Sequence, residues 1–201
     1  MKTNALFSFI FLLGVCGCHS DPVAPNEDVT ALRERFHGKY KPTQVTASEP
    51  IDINLDGKAS IDLFSEIAGL SSGGAMQINI VSRNEYVATD EFLFTQFWPE
   101  QYLSLPGKPI DGPIDYDPRI IVNYAEQPVT RRCHFNESLT ELTLDPDKSP
   151  SPDPIRWGRP DSIKIVSNQQ IQVVNQRQLY TRTGWKTVTV TTLYERYQKT
   201  T

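Results

Sequence analysis

Cysteine is nearly absent from the body of this chain. Of the three present, Cys16 and Cys18 stand close to the N-terminal end and only Cys133 lies beyond them. One remaining thiol excludes a disulfide framework and a cysteine-based zinc site in the bulk of the protein. Cys133 sits in a strand-like run, Val129 to Phe135, and reads as a small packed hydrophobe rather than a nucleophile. Histidine is scarce too, with three in 201 residues, and no HExxH helix occurs. There is no basic cluster. Twenty Lys and Arg stand against 24 Asp and Glu, a net charge of −4, which argues against nucleic acid as a partner. No apolar run approaches the roughly 20 residues that a membrane-spanning helix needs. Asp111, Asp115 and Asp117 crowd one proline-rich stretch and read as a solvated acidic loop. No catalytic constellation assembles from these residues, and the chain reads as a binding protein rather than an enzyme.

What is present begins at residue 2. Lys2 is followed by a short apolar run from Ala5 to Val15 and then by Cys16-Gly17-Cys18. A basic start, a brief apolar core and small residues before a boundary describe a secretory signal. Val15-Cys16-Gly17-Cys18 resembles the lipobox of bacterial lipoproteins, in which a small residue precedes the cysteine that is acylated and becomes the new N-terminus. Leu13-Gly14-Val15-Cys16 fits less well, because Val is bulky before the cleavage point. The resemblance therefore implies a signal peptide over residues 1–17, acylated Cys18, and a polar tether over residues 18–26. Each buried methylene contributes about 0.8 kcal/mol and one chain anchors only marginally, so several acyl chains are what would hold such a protein on a bilayer. The expected location is the envelope of a Gram-negative bacterium, on the outer rather than the inner membrane.

Residues 27–201 are long enough for one domain with a sizeable core. Glu27 to Phe36 places Val29, Leu32 and Phe36 on one side of a short helix, which Gly38 ends. From there strand signals dominate. Met76-Gln77-Ile78-Asn79-Ile80 alternates apolar residues with amides, and Glu85–Thr89 and Phe92–Trp98 follow closely. Further candidates are Arg119–Ala125, Val129–Phe135 and Leu139–Leu144. A final meander comprises Ser162–Val166, Gln170–Val174, Gln178–Arg182 and Trp185–Tyr197, with Asn168 and Gly184 where turns are needed. One more helix is expected over Ile61–Ala68. Two proline-rich stretches, 99–118 and 145–161, are expected as long surface loops, because proline removes a ladder donor. They carry Trp98, Tyr102, Tyr116 and Trp157 at or inside their borders.

At Gly38-Lys39-Tyr40, directly after the short helix, the chain resembles a lipocalin. That family opens its first strand with Gly-x-Trp, and an arginine from near the last strand covers the tryptophan at the barrel floor. Tyr40 stands here in place of Trp, and the resemblance makes Arg196 the covering cation, worth roughly 0.5–2 kcal/mol over an aromatic ring. The succession of lipobox, tether, Gly38-x-Tyr40, Asp52 to Gly57 and Asp62 to Glu66 is similar to small lipocalin-like lipoproteins of the Bacteroides group. It implies an all-β, antiparallel, lipocalin-like barrel of about eight strands with one or two short helices. A fold of this kind can host many activities.

Asp52-x-Asn54-x-Asp56-Gly57 is the one chemically pointed motif. Oxygen ligands at alternate positions in a curling loop suit Ca²⁺, which takes six to eight of them. In an EF-hand register the twelfth position is Leu63, not a bidentate carboxylate, so Asp62, one residue early, would have to turn back to the loop. Weak binding of about 10⁻⁴–10⁻³ M would follow. The alternative is an Asx-rich turn held by hydrogen bonds alone. The leading expectation for function is a membrane-anchored binding protein for an apolar or amphipathic small molecule or a glycan, received at the barrel mouth. The rival is a filled barrel that docks another envelope protein. An open interior cavity of roughly 300 Å³ speaks for the first, and an interior packed solid for the second.

Overall fold

The computed structural model describes residues 28–83, 89–107, 116–146 and 159–199. Cys18, the tether, Asp111, Asp115 and Trp157 lie outside the described residues, as does most of the Glu85–Thr89 segment. Helix α1 spans Val29–Phe36 and is capped by Asp28, whose carboxylate accepts from the amides of Thr30 and Ala31. Nine strands follow: β1 (Gly38–Ile51), β2 (Ser60–Asp62), β3 (Met76–Val81), β4 (Glu91–Ser104), β5 (Ile121–Phe135), β6 (Leu142–Leu144), β7 (Ser162–Ile165), β8 (Gln170–Thr181) and β9 (Gly184–Gln198). A one-turn helix, α2 (Leu70–Gly73), precedes β3.

Eight of these strands form one antiparallel sheet in the order β6-β5-β4-β3-β1-β9-β8-β7, and β2 adds a short flap to β1. Every neighbour in this order is also a neighbour along the chain, apart from the flap and the return of β9 to β1. This is an up-and-down meander, and it curls until its two edges nearly meet. The seam is held by a bridge between Glu141 and Lys164, beside which the Ile165 amide donates to the Thr140 carbonyl at 2.8 Å. The result is the expected all-β barrel. Its wall is lowest at the seam, where β6 and β7 have three and four residues against fourteen or fifteen in β4 and β5.

Three sequence expectations change. The Ile61–Ala68 helix is replaced by the end of β2 and a series of tight turns, with Glu66 and Ile67 amides both donating to the Leu63 carbonyl. Ser and Asp side chains compete with helical bonds there: Ser60 Oγ takes the Asp62 amide and Asp62 Oδ1 takes the Phe64 amide. The stretch 99–118 does not begin as a loop, because β4 runs through Pro99 to Ser104. Likewise Arg119–Ala125 and Val129–Phe135 fuse into β5 across Pro128. The Phe97 amide donates to Ala75 at 2.8 Å, away from β5, so the facing Phe97–Pro128 pair is non-hydrogen-bonded. Pro128 thus turns its nitrogen to the side of β5 on which β6 pairs only residues 133–135, where no donor is required. Tyr102 is on the exposed end of β4, and Trp98 is not a loop residue but lies inside the barrel at 3% exposure.

Two apolar clusters fill the barrel ends. One joins Leu32 and Phe36 of α1 to Tyr40, Phe94, Phe135 and Tyr194, with Phe36 stacked on Phe135 at 4.8 Å between ring centres. The other gathers Ile53, Leu63 and Ile67 from the turns over Trp98, Val188 and Val190. Burying each such side chain contributes about 1.5–3 kcal/mol.

Candidate functional site

The floor of the barrel explains the Gly38-x-Tyr40 motif. Gly38 has φ +150°, and a Cβ there would stand 2.4 Å from the Gln198 carbonyl oxygen, so only glycine fits. Tyr40 is fully buried, and its hydroxyl donates to the Phe36 carbonyl at 2.6 Å. Burial pushes that phenol up to about 12 against the opposing charge of Arg196. Tyr40 and Arg196 are register partners on β1 and β9. The guanidinium, however, reaches the end of α1: Nη1 donates to the carbonyls of Arg35 at 2.8 Å and Glu34 at 3.3 Å, and Nε to Gln169 Oε1 at 3.3 Å. Arg196 therefore serves as a cationic C-terminal clamp on α1. His37, the helix C-cap, joins the same closure, with Nδ1 accepting the Ile80 amide at 2.9 Å. Burial and then the Arg33 charge lower its basicity.

Between the two apolar clusters lies a polar layer that sequence reading missed. Gln96 is 3% exposed and makes four hydrogen bonds. Its amide donates to Asn175 Oδ1 and to the Tyr194 hydroxyl, both at 3.0 Å, and its carbonyl accepts from Asn175 Nδ2 and Arg177 Nη2, both at 3.1 Å. The Arg177 guanidinium lies 4.5 Å over the Trp98 ring and 3.9 Å from Glu100, with both ionic side chains almost fully buried. Higher up, Gln101 Oε1 accepts the Tyr180 amide at 2.8 Å. The signal was present in phase. Asn175 and Arg177 continue the inward alternation of Ile171 and Val173, as Gln96 and Glu100 continue that of Phe94. With Tyr40, Phe94 and Tyr194 inaccessible as well, side chains fill the barrel.

The acidic loop sits at the opposite rim. Asn54 Oδ1 accepts the Asp56 amide at 2.9 Å, Asp56 Oδ1 the Lys58 amide at 2.8 Å, and Asp52 Oδ2 the Gly57 amide at 3.0 Å. Leu55 (φ 62°) and Gly57 (φ 90°) take left-handed conformations to make this curl. Arg182 enters it from the β8–β9 turn. Its Nη2 donates to the Leu55 carbonyl, and its Nε lies 3.5 Å from Asp52 Oδ2. Asp52 Oδ1 is buried without a hydrogen-bond partner. Asp62 Oδ1 is engaged with the Phe64 amide, and the side chain that reaches the loop is Glu66, whose Oε2 accepts the Ile53 amide at 2.9 Å. Among the described residues, no three acidic, histidine or cysteine side chains converge as a metal-binding group.

Beside this loop, the turns and the β4–β5 ribbon enclose a cleft of about 310 Å³. Phe64, Tyr124, Val122 and Ile53 supply apolar wall, and Asn54, Ser65 and Glu66 supply polar atoms. Tyr124 is raised in pKa by burial, offset by a hydrogen bond with Gln101. Cys133, the thiol near the seam, is 6% exposed and pushed up to about 12, chiefly by burial, which makes it inert at neutral pH. The chain matches no protein-family model, and a comparison with curated proteins finds no match either.

Proposed function

We propose that this chain is a lipid-anchored binding module of the cell envelope that uses a solid barrel as scaffold and receives a small amphipathic molecule in the rim cleft. The observation that carries a small-molecule reading is the amphipathic rim cleft. The filled interior is the outcome set out above for the rival, a barrel that docks another envelope protein, and it closes the inside to a ligand. Where a ligand-holding barrel would be hollow, Gln96, Asn175, Arg177 and Tyr194 bond to one another. Among the surface clefts, one of about 370 Å³ along the seam is lined by charged Glu141, Arg159 and Asp161. The rim cleft, at about 310 Å³, instead joins Phe64 and Tyr124 to polar atoms and falls in the usual range for small-molecule sites. Phe64 and Tyr124 provide the apolar contact, and the Asn54 amide fixes orientation. The acidic loop is the strut of that cleft. Arg182 already brings to it the positive charge that Ca²⁺ would supply, so the loop stands without metal. Acylated Cys18 is the membrane attachment in this proposal.

Titration with the neutral fluorophore N-phenyl-1-naphthylamine tests the cleft. Binding is expected to saturate and to weaken about tenfold in Phe64→Ala and Tyr124→Ala, the ratio that a loss of about 1.4 kcal/mol produces. Absence of saturable binding, or binding untouched by both substitutions, overturns the assignment.

A further inference from the structure

The outward face of β8, β9 and β1 differs from the rest of this charged surface. Val188, Val190, Thr192 and Tyr194 of β9 are buried, so Thr187, Thr189, Thr191 and Leu193 face outward. Register sets Gln176 beside Thr189 on β8, and Thr46 beside Thr191 on β1. A shallow groove of about 300 Å³ crosses these strands, and none of the residues lining it carries a formal charge. Charges flank it: Asp62 on β2 beside Thr46, Lys164 on β7 beside Gln172, the Glu49–Lys186 ion pair at 3.4 Å above and, lower down, the facing residues Lys41 and Glu195. Lys186 and Glu195 are nine residues apart on β9, which is about 30 Å of strand.

In a chain with 22% charged residues, such a tract has a consequence. No charged side chain lines the groove itself, so a partner confined to it desolvates no ion. Its hydrogen-bonding groups are only partly used among themselves. Gln176 Nε2 donates to Thr189 Oγ1 at 2.9 Å, Gln44 Nε2 to Thr46 Oγ1 at 3.4 Å, and Ser48 Oγ accepts the Thr189 amide at 3.3 Å. Each of those hydroxyls keeps a proton to give, and each amide keeps its carbonyl oxygen. The groove therefore presents donors and acceptors together and has no sign of charge. Half-buried Trp185, two positions above Thr187 on the same face, packs edge-on to Tyr180 at 5.4 Å and supplies an aromatic ring at the upper end.

We propose that this face binds an uncharged polysaccharide strand lying along β9. A neutral polyhydroxylated chain matches a surface of hydroxyls and amides with no counter-charge to satisfy. A protein partner would seek Trp, Tyr, Arg or Met anchors in mid-patch, and the groove has none. An anionic polymer or lipid surface would require cations there. The groove shares no residue with the rim cleft, so the two assignments stand or fall separately.

The test is affinity electrophoresis of the full chain in detergent micelles, through native gels containing a soluble β-glucan, a mannan or a xylan, with polygalacturonate as the charged comparison. At least one neutral polymer is expected to retard the protein while polygalacturonate does not. Thr189→Lys, which places a charge in mid-groove without entering the interior, is expected to abolish that retardation. Trp185→Ala should weaken it several-fold, and Phe64→Ala should leave it unchanged. Failure of all three neutral polymers overturns the proposal, as does retardation that survives Thr189→Lys or that polygalacturonate reproduces. A dimer in sedimentation that Thr189→Lys dissociates would assign the face to a second copy and overturn it equally.

Discussion

Replacing Gln96 by Leu asks whether the barrel is solid. The two side chains are similar in volume, so the substitution changes chemistry more than packing. It removes all four hydrogen bonds that Gln96 makes, two with Asn175 and one each with Tyr194 and Arg177. All three partners are 3% exposed or less. A buried polar group left unsatisfied costs about 1–3 kcal/mol, so three together, less the gain from burying Leu, amount to roughly 3–6 kcal/mol. Against a typical stability of about 5–15 kcal/mol this is severe, and it should lower the melting temperature by roughly 10–20 °C.

Urea denaturation followed by circular dichroism gives the free energy directly. The double variant Gln96→Leu with Asn175→Leu completes the test. Replacing both partners by apolar groups leaves fewer orphans, so the pair should be less destabilised than the sum of the singles. A loss below about 1 kcal/mol for Gln96→Leu would mean that water takes up the abandoned bonds. The interior would then be hydrated and accessible, and the argument for a rim site would fail.

Gly38→Ala must move the Gln198 backbone and should cost more than about 2 kcal/mol; a melting temperature within a degree of wild type would show that the floor is not so constrained. His37 has a folded-state pKa below its ordinary 6.5, so the stability it confers is complete above about pH 6.5 and is lost as pH falls through 6.5 toward the folded value. The difference in stability between wild type and His37→Gln should shrink on acidification over that window, and a difference that grows there would contradict the sign. At the acidic loop, Arg182→Ala should cost about 1 kcal/mol, discounted because the guanidinium is half exposed. Wild type should melt at the same temperature in EDTA and in millimolar Ca²⁺; a rise of several degrees, as about 2.7 kcal/mol of ligand stabilisation gives, would restore the metal reading. Cys18→Ser should abolish incorporation of labelled palmitate and release the protein from the membrane fraction, and label retained in that variant would move the acylation elsewhere.

The elements legible in the sequence are those where side-chain phase and backbone chemistry agree. Asp28 caps α1 where the apolar stripe begins, and the alternation of Met76, Ile78 and Ile80 with amides becomes the buried and half-buried faces of β3. Prolines misled, because what matters is which way their nitrogen points. Pro99 and Pro128 sit at ladder positions that need no donor from them, and a single sequence does not say which positions those are. The Ile61–Ala68 helix failed for a local reason: Ser60 and Asp62 bind amides that a helix would have used. The rim strut was half legible. The Asx spacing announced a curl, but the residue that occupies it, Arg182, is 127 positions from the Leu55 carbonyl it binds.

The polar layer was hidden for a deeper reason, and the same reason bears on function. Polar residues at inward phase mean either a wet cavity or a satisfied network, and alternation cannot distinguish them. Here Gln96 on β4 meets Asn175 and Arg177 on β8 and Tyr194 on β9, three strands brought together only by curling the sheet. A network of that kind fixes which strands face one another across the interior, and it engages both ends of the Gln96 and Asn175 amides, while Arg177 Nε and Thr192 Oγ1 are buried without a hydrogen-bond partner. If a barrel so filled binds a partner, it does so with its outer surface. The two sites proposed above, an aromatic cleft braced by Arg182 and a groove along β9 lined by uncharged residues, both lie on that outer surface.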